Sequence, residues 1–131
     1  MTSASSSLTP FLTDDAMVDA QGVLVFVIDR FCEVLGYPRE ALVGQSYALI
    51  NSDVHGRGFF EDLWSKLNSG QSWVGEVCNR TKDGTLIWFD NIVVPLYGKD
   101  GAITGHFSVR KDITQRKSAE QRVQRNERFL E

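Results

Sequence analysis

Residues 71–96, QSWVGEVCNRTKDGTLIWFDNIVVPL, predict a hairpin of two long strands. Both halves are rich in aromatic and β-branched residues, which favour extended structure. Residues 82–85, KDGT, supply the turn, because a glycine after an aspartate tolerates the positive φ that tight hairpin loops require. Pro95 is expected to end the second strand, since its ring nitrogen cannot donate to a sheet ladder.

Side chains alternate between the two faces of this hairpin. Trp73 and Asn79 share one face of the first strand, together with Gly75 and Val77. Neither face of the second strand is cleanly polar, so both sides are expected to meet protein, a ligand or a partner. The hairpin is therefore predicted to form one wall of a pocket, with few groups suited to catalysis.

Length and charge narrow the class of protein. A chain of 131 residues with a net charge of −3 fits one globular domain and does not favour nucleic acid as a partner. Residues 110–131 contain 7 Lys and Arg against 4 acids, and residues 1–109 contain 7 against 13. An acidic body is thus followed by a basic tail. Nothing resembles a signal peptide or a membrane span, so a cytoplasmic location is expected.

The sequence contains no motif typical of an enzyme or a metal site. It has no P-loop and no GxSxG, and its His, Cys and acidic residues lack ligand spacing. Cys32 and Cys78 stand apart from each other, without a CxxC pattern, and are predicted to be buried thiols. We expect a regulatory domain rather than an enzyme.

The rest of the body predicts an α+β fold. The apolar stripe of residues 59–67 gives the best helix, because Phe59, Phe60, Leu63, Trp64 and Leu67 recur at helical spacing. Further elements are predicted for strands at 17–20, 23–28 and 103–111, short helices at 31–35 and 38–42 that end at Gly36 and Gly44, and one turn at 47–50. This order predicts a five-stranded antiparallel sheet with short helices packed on one face, enclosing a modest cavity.

Residues 114–131 predict a helix that begins a coiled coil. Ala119, Val123, Asn126 and Leu130 recur at heptad spacing, and Thr114 is expected to cap the helix. Two heptads are short, so a frayed surface helix remains the alternative.

Six segments, in this order and spacing, resemble the PAS sensory-domain family. They are GVLVFVIDRFC (22–32), GYPREALVG (36–44), WVGE (73–76), NRTKDG (79–84), PL (95–96) and DITQRK (112–117). The resemblance implies a PAS domain at residues 13–113, after a disordered segment at 1–12 and before a signalling helix at 114–131. It also implies a pocket between the sheet and the helices.

The flavin-binding branch of that family, found in aerotaxis receptors and redox regulators of nitrogen fixation, has similar WxGE and NRxKDG segments. The resemblance therefore implies FAD as the cofactor, with Trp73 packing on the ring system and Asn79 bonding its polar edge. The other residues predicted to line the site are aromatic: Phe31, Phe60, Trp64 and Trp88. Ile28, where many members have Asn, favours instead a ligand-free dimerisation and relay module.

Two other cofactor classes fit less well. The Asn-Cys-Arg-Phe-Leu-Gln motif of the light-oxygen-voltage branch is absent, so no light-driven thiol adduct is expected. Haem is disfavoured because His55 stands in a polar loop and His106 within a strand, positions typical of solvated or hydrogen-bonded histidines.

The resemblance also implies partners. We expect a homodimer through the outer sheet face and the C-terminal helix, and an output domain such as a histidine kinase, diguanylate cyclase or chemoreceptor. A change in the pocket at Trp73 and Asn79 would reach the helix through residues 112–114.

Overall fold

A computed structural model describes residues 13–130 as one antiparallel sheet, with a C-terminal helix that starts over its outer face and the other helices on its inner face. The strands pair in the order β2-β1-β5-β4-β3, as the α+β prediction requires. The elements are β1 (Ala16–Asp19), β2 (Leu24–Val27), α1 (Asp29–Leu35), α2 (Arg39–Leu42), a 3₁₀ turn (Tyr47–Ile50), α3 (Arg57–Asn68), β3 (Trp73–Arg80), β4 (Leu86–Tyr97), β5 (Ile103–Asp112) and α4 (Thr114–Leu130). The segment 1–12, which we predicted to be disordered, lies outside the described residues.

The predicted turns form for the expected reason. Gly84, after β3, and Gly101, after β4, have φ angles of 93° and 83°, which a side chain would disfavour. β3 and β4 pair along their whole shared length, from Trp73 opposite Val93 to Arg80 opposite Leu86. The predicted hairpin is therefore confirmed.

The prediction that Pro95 ends the second strand is wrong. β4 continues through Pro95 to Tyr97, with Pro95 opposite His106 of β5. β3 pairs with β4 only as far as Val93, so past that residue β4 has a neighbour on one side alone. A residue without an N–H group is tolerated where one side of the strand carries no ladder.

The core lies between the inner face and the helices. α3 packs Leu63 and Leu67 against Val93 of β4, while Phe59, Phe60 and Trp64 extend the same stripe. A second cluster joins β1 and β2 to α1, α2 and the 3₁₀ turn; its buried members are Ala16, Val18, Leu24, Val27, Phe31, Leu35, Leu42 and Ile50. The predicted aromatic helix is confirmed, and it forms one wall of the interior.

The segment from Gly44 to His55 runs from one edge of the sheet to the other. At β2, the Leu24 N–H donates to the Gln45 carbonyl and the Leu24 carbonyl accepts from the Gly44 N–H. At β3, the Ser52 hydroxyl donates to the Cys78 carbonyl (2.7 Å). Both edge strands therefore have backbone groups bonded to this one connecting segment.

The junction between β5 and α4 is bonded to the backbone of Trp88. The Ile113 N–H donates to the Trp88 carbonyl (2.8 Å), and the Trp88 N–H donates to Thr114 Oγ1 (3.0 Å). Thr114 is the first residue of α4. We predict from the sequence that its side chain caps the helix, but its hydroxyl accepts a hydrogen bond from β4. Asp112 Oδ1 accepts from both the Thr114 N–H and its hydroxyl. The junction is thus fixed to the hairpin.

Candidate ligand-binding site

A small cavity lies between α3 and the inner face of the sheet. Its volume is about 30 Å³, which is room for about two water molecules. The lining residues are Ala16, Val18, Tyr47, Phe60, Leu63, Trp64, Leu67, Val77, Asn91, Val93, His106 and Ser108. Of the aromatic residues predicted to line the site, Phe60 and Trp64 do so.

Asn79 is a buried amide without a partner. Its side chain is on the inner face of β3 and is 0% exposed, and neither the oxygen nor the nitrogen of the amide makes a hydrogen bond in the described part of the chain. Such a buried, unpaired group costs about 1–3 kcal/mol. Asn91, by contrast, accepts a hydrogen bond from the Ser108 hydroxyl at 2.6 Å. Asn79 does not line the cavity, but its unbonded amide lies on the same strand face as Val77, which does line it.

Trp73 lies flat on its own strand. A Cβ atom at Gly75 would stand 2.6 Å from the Trp73 ring, so the glycine leaves the space that the indole occupies. The indole packs edge-on against Phe59 of α3, with ring centroids 5.6 Å apart. Trp73 therefore belongs to the packing between α3 and β3 and does not line the cavity itself.

Phe31 contacts a buried arginine. The Arg110 guanidinium lies between two rings, 4.6 Å from the centroid of Phe31 and 3.9 Å from that of Phe89. Its Nη1 donates to the hydroxyl of Tyr47 (2.9 Å), which lines the cavity. Phe31 thus packs one layer behind the cavity wall.

The structure places Trp88 outside the predicted site. Strand alternation puts Trp88 on the face opposite the buried Phe89, and the Lys117 ammonium lies 4.5 Å from the centroid of its ring. We predicted that Trp88 lines the pocket, which requires its side chain to lie on the inner face. The aromatic side chain on the inner face at this point of β4 is Phe89 instead. Trp88 contacts the start of α4 instead.

The two histidines have different surroundings. His55 accepts a hydrogen bond from the Cys78 N–H through Nε2 (2.8 Å) and stacks on Phe59, with centroids 3.9 Å apart. His106 is buried beside Trp64, and neither ring nitrogen has a hydrogen-bond partner among the described residues. Burial lowers the pKa of both rings, although the Leu67 carbonyl partly opposes this at His106. Burial therefore favours the neutral form of both imidazoles.

The cysteine and acidic side chains are not arranged as a reactive thiol or a metal site in the described residues. Cys78 is buried, Cys32 is partly buried, and both thiols are free; burial raises the pKa of each. Within the described residues, no group of three His, Cys, Asp or Glu side chains is placed to hold a metal ion. No helix over the same residues is long and apolar enough to cross a bilayer.

The outer face carries an ion-pair cluster beneath α4. Glu76, on β3, accepts from Lys117 Nζ (2.9 Å) and also pairs with Arg116. Arg116 reaches Asp90 of β4 as well (3.6 Å). The hydrogen bond from Lys117 lowers the pKa of Glu76. The strand that carries Asn79 inside is thus bonded to the C-terminal helix outside.

Our sequence reasoning missed the polar inner face of β5. His106, Ser108 and Arg110 point inward, while Phe107 and Val109 face the other way. The alternation was visible, but an apolar face is ordinarily taken to be the buried one. The usable signal was the presence of three polar residues at a spacing of two in a strand predicted to be central.

Comparisons with known proteins agree with this architecture. The PAS fold family matches residues 24–108. The aerotaxis receptor of Escherichia coli K12 is 31% identical over 109 residues, which are 81% of this chain and 21% of the receptor. A nitrogen fixation regulatory protein of Klebsiella oxytoca is 25% identical over 116 residues, 88% of this chain and 23% of that protein.

Solved structures give the same fold. A light-oxygen-voltage domain, solved in work on a flavin analogue, superposes with a TM-score of 0.73 at 17% identity and covers 95% of this chain and 96% of its own. This chain thus spans less than a quarter of the curated relatives above and nearly all of that single domain. The chain belongs to the PAS fold family, among the sensory domains of signalling proteins.

Proposed function

We propose that this domain senses redox state through a flavin held between α3 and the inner face, and relays the signal to an output domain in a larger protein. One observation carries the proposal: Asn79 is a fully buried amide with neither atom bonded. The polar edge of an isoalloxazine offers both donors and acceptors, which an amide can match. When bound, a flavin supplies a reversible redox change.

The side chains around the cavity are chemically suited to a flavin, but the cavity is too small for one. Some of these side chains must move before a flavin can bind. The cavity of about 30 Å³ is far smaller than a flavin ring system. Phe60 and Trp64, both on α3, form the movable wall, so α3 must shift outward to admit the ring. Apolar side chains of this kind are typical of ligand pockets.

The small cavity also favours a second candidate, a ligand-free relay. In that case the interior stays filled, and the domain passes on a signal from a neighbouring domain by dimerising. The outer face supports such dimerisation, because Val74 (71% exposed), Ile92 and Leu86 leave apolar surface uncovered. Val123, on the predicted heptad seam of α4, is 54% exposed and could pair with a second copy.

A relay route follows from β3 in either case. Asn79 and Glu76 belong to the same strand and face opposite sides of the sheet. A shift of β3 at Asn79 would change the Glu76 contacts with Lys117 and Arg116 at the start of α4. We propose that these contacts pass the signal to a kinase, cyclase or chemoreceptor output in the cytoplasm.

Colour tests the flavin proposal directly. Purified protein, and protein refolded with FAD, should absorb near the flavin bands, with bound FAD released on denaturation. Asn79→Ala and Trp73→Ala should each lower the FAD stoichiometry while keeping a cooperative unfolding transition. Asn68→Ala, on the exposed end of α3, is the matched control and should bind FAD like the wild type.

The outcomes separate the candidates. A protein that remains colourless after refolding with FAD would remove the flavin proposal and favour the relay. Full FAD binding by the Asn79 variant would remove the site assignment, even if the protein is yellow. Sedimentation of the wild type and of Val123→Lys tests the dimer, which the charged variant should dissociate.

A further inference from the structure

The described structure contains a second buried polar group whose contacts satisfy it only in part. Arg110 is 1% exposed, and its Nε and Nη2 make no hydrogen bond in the described part of the chain. No carboxylate among those residues lies within ion-pairing distance of it. A guanidinium has five N–H donors and a permanent positive charge, and burying such a group without partners costs several kcal/mol.

The surroundings of Arg110 offset this cost only in part. The rings of Phe31 and Phe89 provide cation–π contacts, each worth up to about 2 kcal/mol when water is excluded. The nearby carboxylate of Asp14 is already shared, because Arg30 Nε lies 2.9 Å from its Oδ1. Burial raises the pKa of Asp14 to about 6, so its negative charge is itself disfavoured there. Asp15 and Asp112 also lie near Asp14 and add to that effect.

Arg110 is connected to the cavity through Tyr47. The Tyr47 hydroxyl accepts from Arg110 and lines the cavity, and it donates no hydrogen bond to another described residue. Its O–H is therefore available to a ligand, and the positive charge behind it strengthens that donor. Apolar side chains that include Leu63, Leu67 and Val93 also line the cavity.

From this geometry we propose that Arg110, acting with Tyr47, is an anion site inside the domain that binds a small carboxylate with a short apolar body. The carboxylate accepts from the Tyr47 hydroxyl and from the free Arg110 N–H groups, and the apolar body lies beneath α3. The cavity of about 30 Å³ is smaller than a short carboxylic acid, so the side chains of α3 must yield for this ligand too, although by less than for a flavin. The inference goes beyond the proposed function and holds equally for a colourless protein.

The test uses the flavin-free chain and two matched probe series. Thermal unfolding is followed in butyrate and hexanoate, in the corresponding neutral amides, and in sodium chloride at equal ionic strength. We expect the carboxylates alone to raise the melting temperature. Arg110→Gln should weaken carboxylate binding by about tenfold or more, since a hydrogen bond to a charged group is lost. Arg30→Gln, at the other guanidinium beside Asp14, should leave it unchanged.

A measurement on the wild type covers the case in which Arg110→Gln does not fold. In ¹⁵N spectra of the arginine side chains, butyrate should shift the Nε–H signal of one buried, slowly exchanging arginine, and butyramide should not. Equal stabilisation by amide or chloride, unchanged carboxylate binding in Arg110→Gln, or arginine signals that do not move would overturn the proposal. A protein that binds FAD and ignores carboxylates would lose this inference and keep the flavin proposal.

Discussion

The two faces of the sheet differ in how well their polar side chains are hydrogen-bonded. On the inner face, Asn79, His106 and Arg110 are buried with unbonded atoms. On the outer face, Glu76 is paired with Lys117 and Arg116, while apolar side chains such as Val74 face solvent. A fold selected for stability alone would have the reverse arrangement. The difference is what our proposals of a ligand on the inner face and a partner on the outer face predict.

The largest expected contrast is in stability. Phe89→Ala, on the inner face, should lower the free energy of unfolding by about 3–5 kcal/mol, because a fully buried ring against Arg110 is removed. Val74→Ala, on the outer face, should change it by less than about 0.5 kcal/mol. Urea denaturation of both variants measures the two changes in the free energy of unfolding. If Val74→Ala loses as much stability as Phe89→Ala, the outer face is covered, as it would be in a dimer.

The pH dependence should have opposite signs on the two sides. Burial raises the pKa of Asp14 from 3.8 to about 6, so the folded state binds the proton more tightly than the unfolded state. Its stabilising contribution is complete below pH 4 and is lost as pH rises through about 6, by at most about 3 kcal/mol. For Glu76 the folded pKa is lowered by the hydrogen bond from Lys117, so its contribution is present at neutral pH and is lost on acidification.

Unfolding free energies measured from pH 3 to pH 8 test both signs. The difference between wild type and Asp14→Asn should change across pH 4–6. The difference between wild type and Glu76→Gln should be constant above the unfolded pKa of 4.5 and should shrink as pH falls below it. A flat difference for Asp14→Asn would mean that Arg30 and Arg110 fully compensate its burial.

Asn79→Leu separates stability from binding. In the flavin-free protein we expect this variant to be more stable than wild type by about 1–3 kcal/mol, because an unbonded buried amide is replaced by an apolar group of similar size. The matched variant Asn91→Leu should be destabilised, since the Ser108 hydroxyl loses its acceptor. Chemical denaturation measures the free energy of unfolding of both variants. If Asn79→Leu is less stable than wild type, the Asn79 amide is hydrogen-bonded in solution.

The smallest effect is expected at the helix junction. Thr114→Val keeps the shape of the side chain and removes the acceptor for the Trp88 N–H, which should cost about 1 kcal/mol. Hydrogen exchange at the Trp88 amide should accelerate with it. Thr104→Val, whose exposed hydroxyl makes only a long 3.4 Å bond to the Leu96 carbonyl, is the control and should leave exchange at Trp88 unchanged.

Local sequence patterns predicted the elements well and the site only in part. Hairpin turns, the α3 stripe and the break at Gly36 follow from local chemistry, so each was visible in a few neighbouring residues. Which side of a strand faces the core depends on tertiary structure. The sequence alone does not decide whether Trp88 or Phe89 points into the interior; the pairing of β4 with β5 does. The inward polar face of β5 was missed for the same reason. Its burial depends on partners distant in sequence, such as Asn91 for Ser108 and Tyr47 for Arg110.

The segment from Gly44 to His55 limits how this domain can associate. Because it occupies backbone groups at Leu24 on one rim of the sheet and at Cys78 on the other, neither rim presents an uninterrupted ladder of free donors and acceptors. Extending the sheet by adding a strand from another molecule is hindered at both ends. Two copies that associate would therefore have to use the sheet faces or the helices instead of the strand edges.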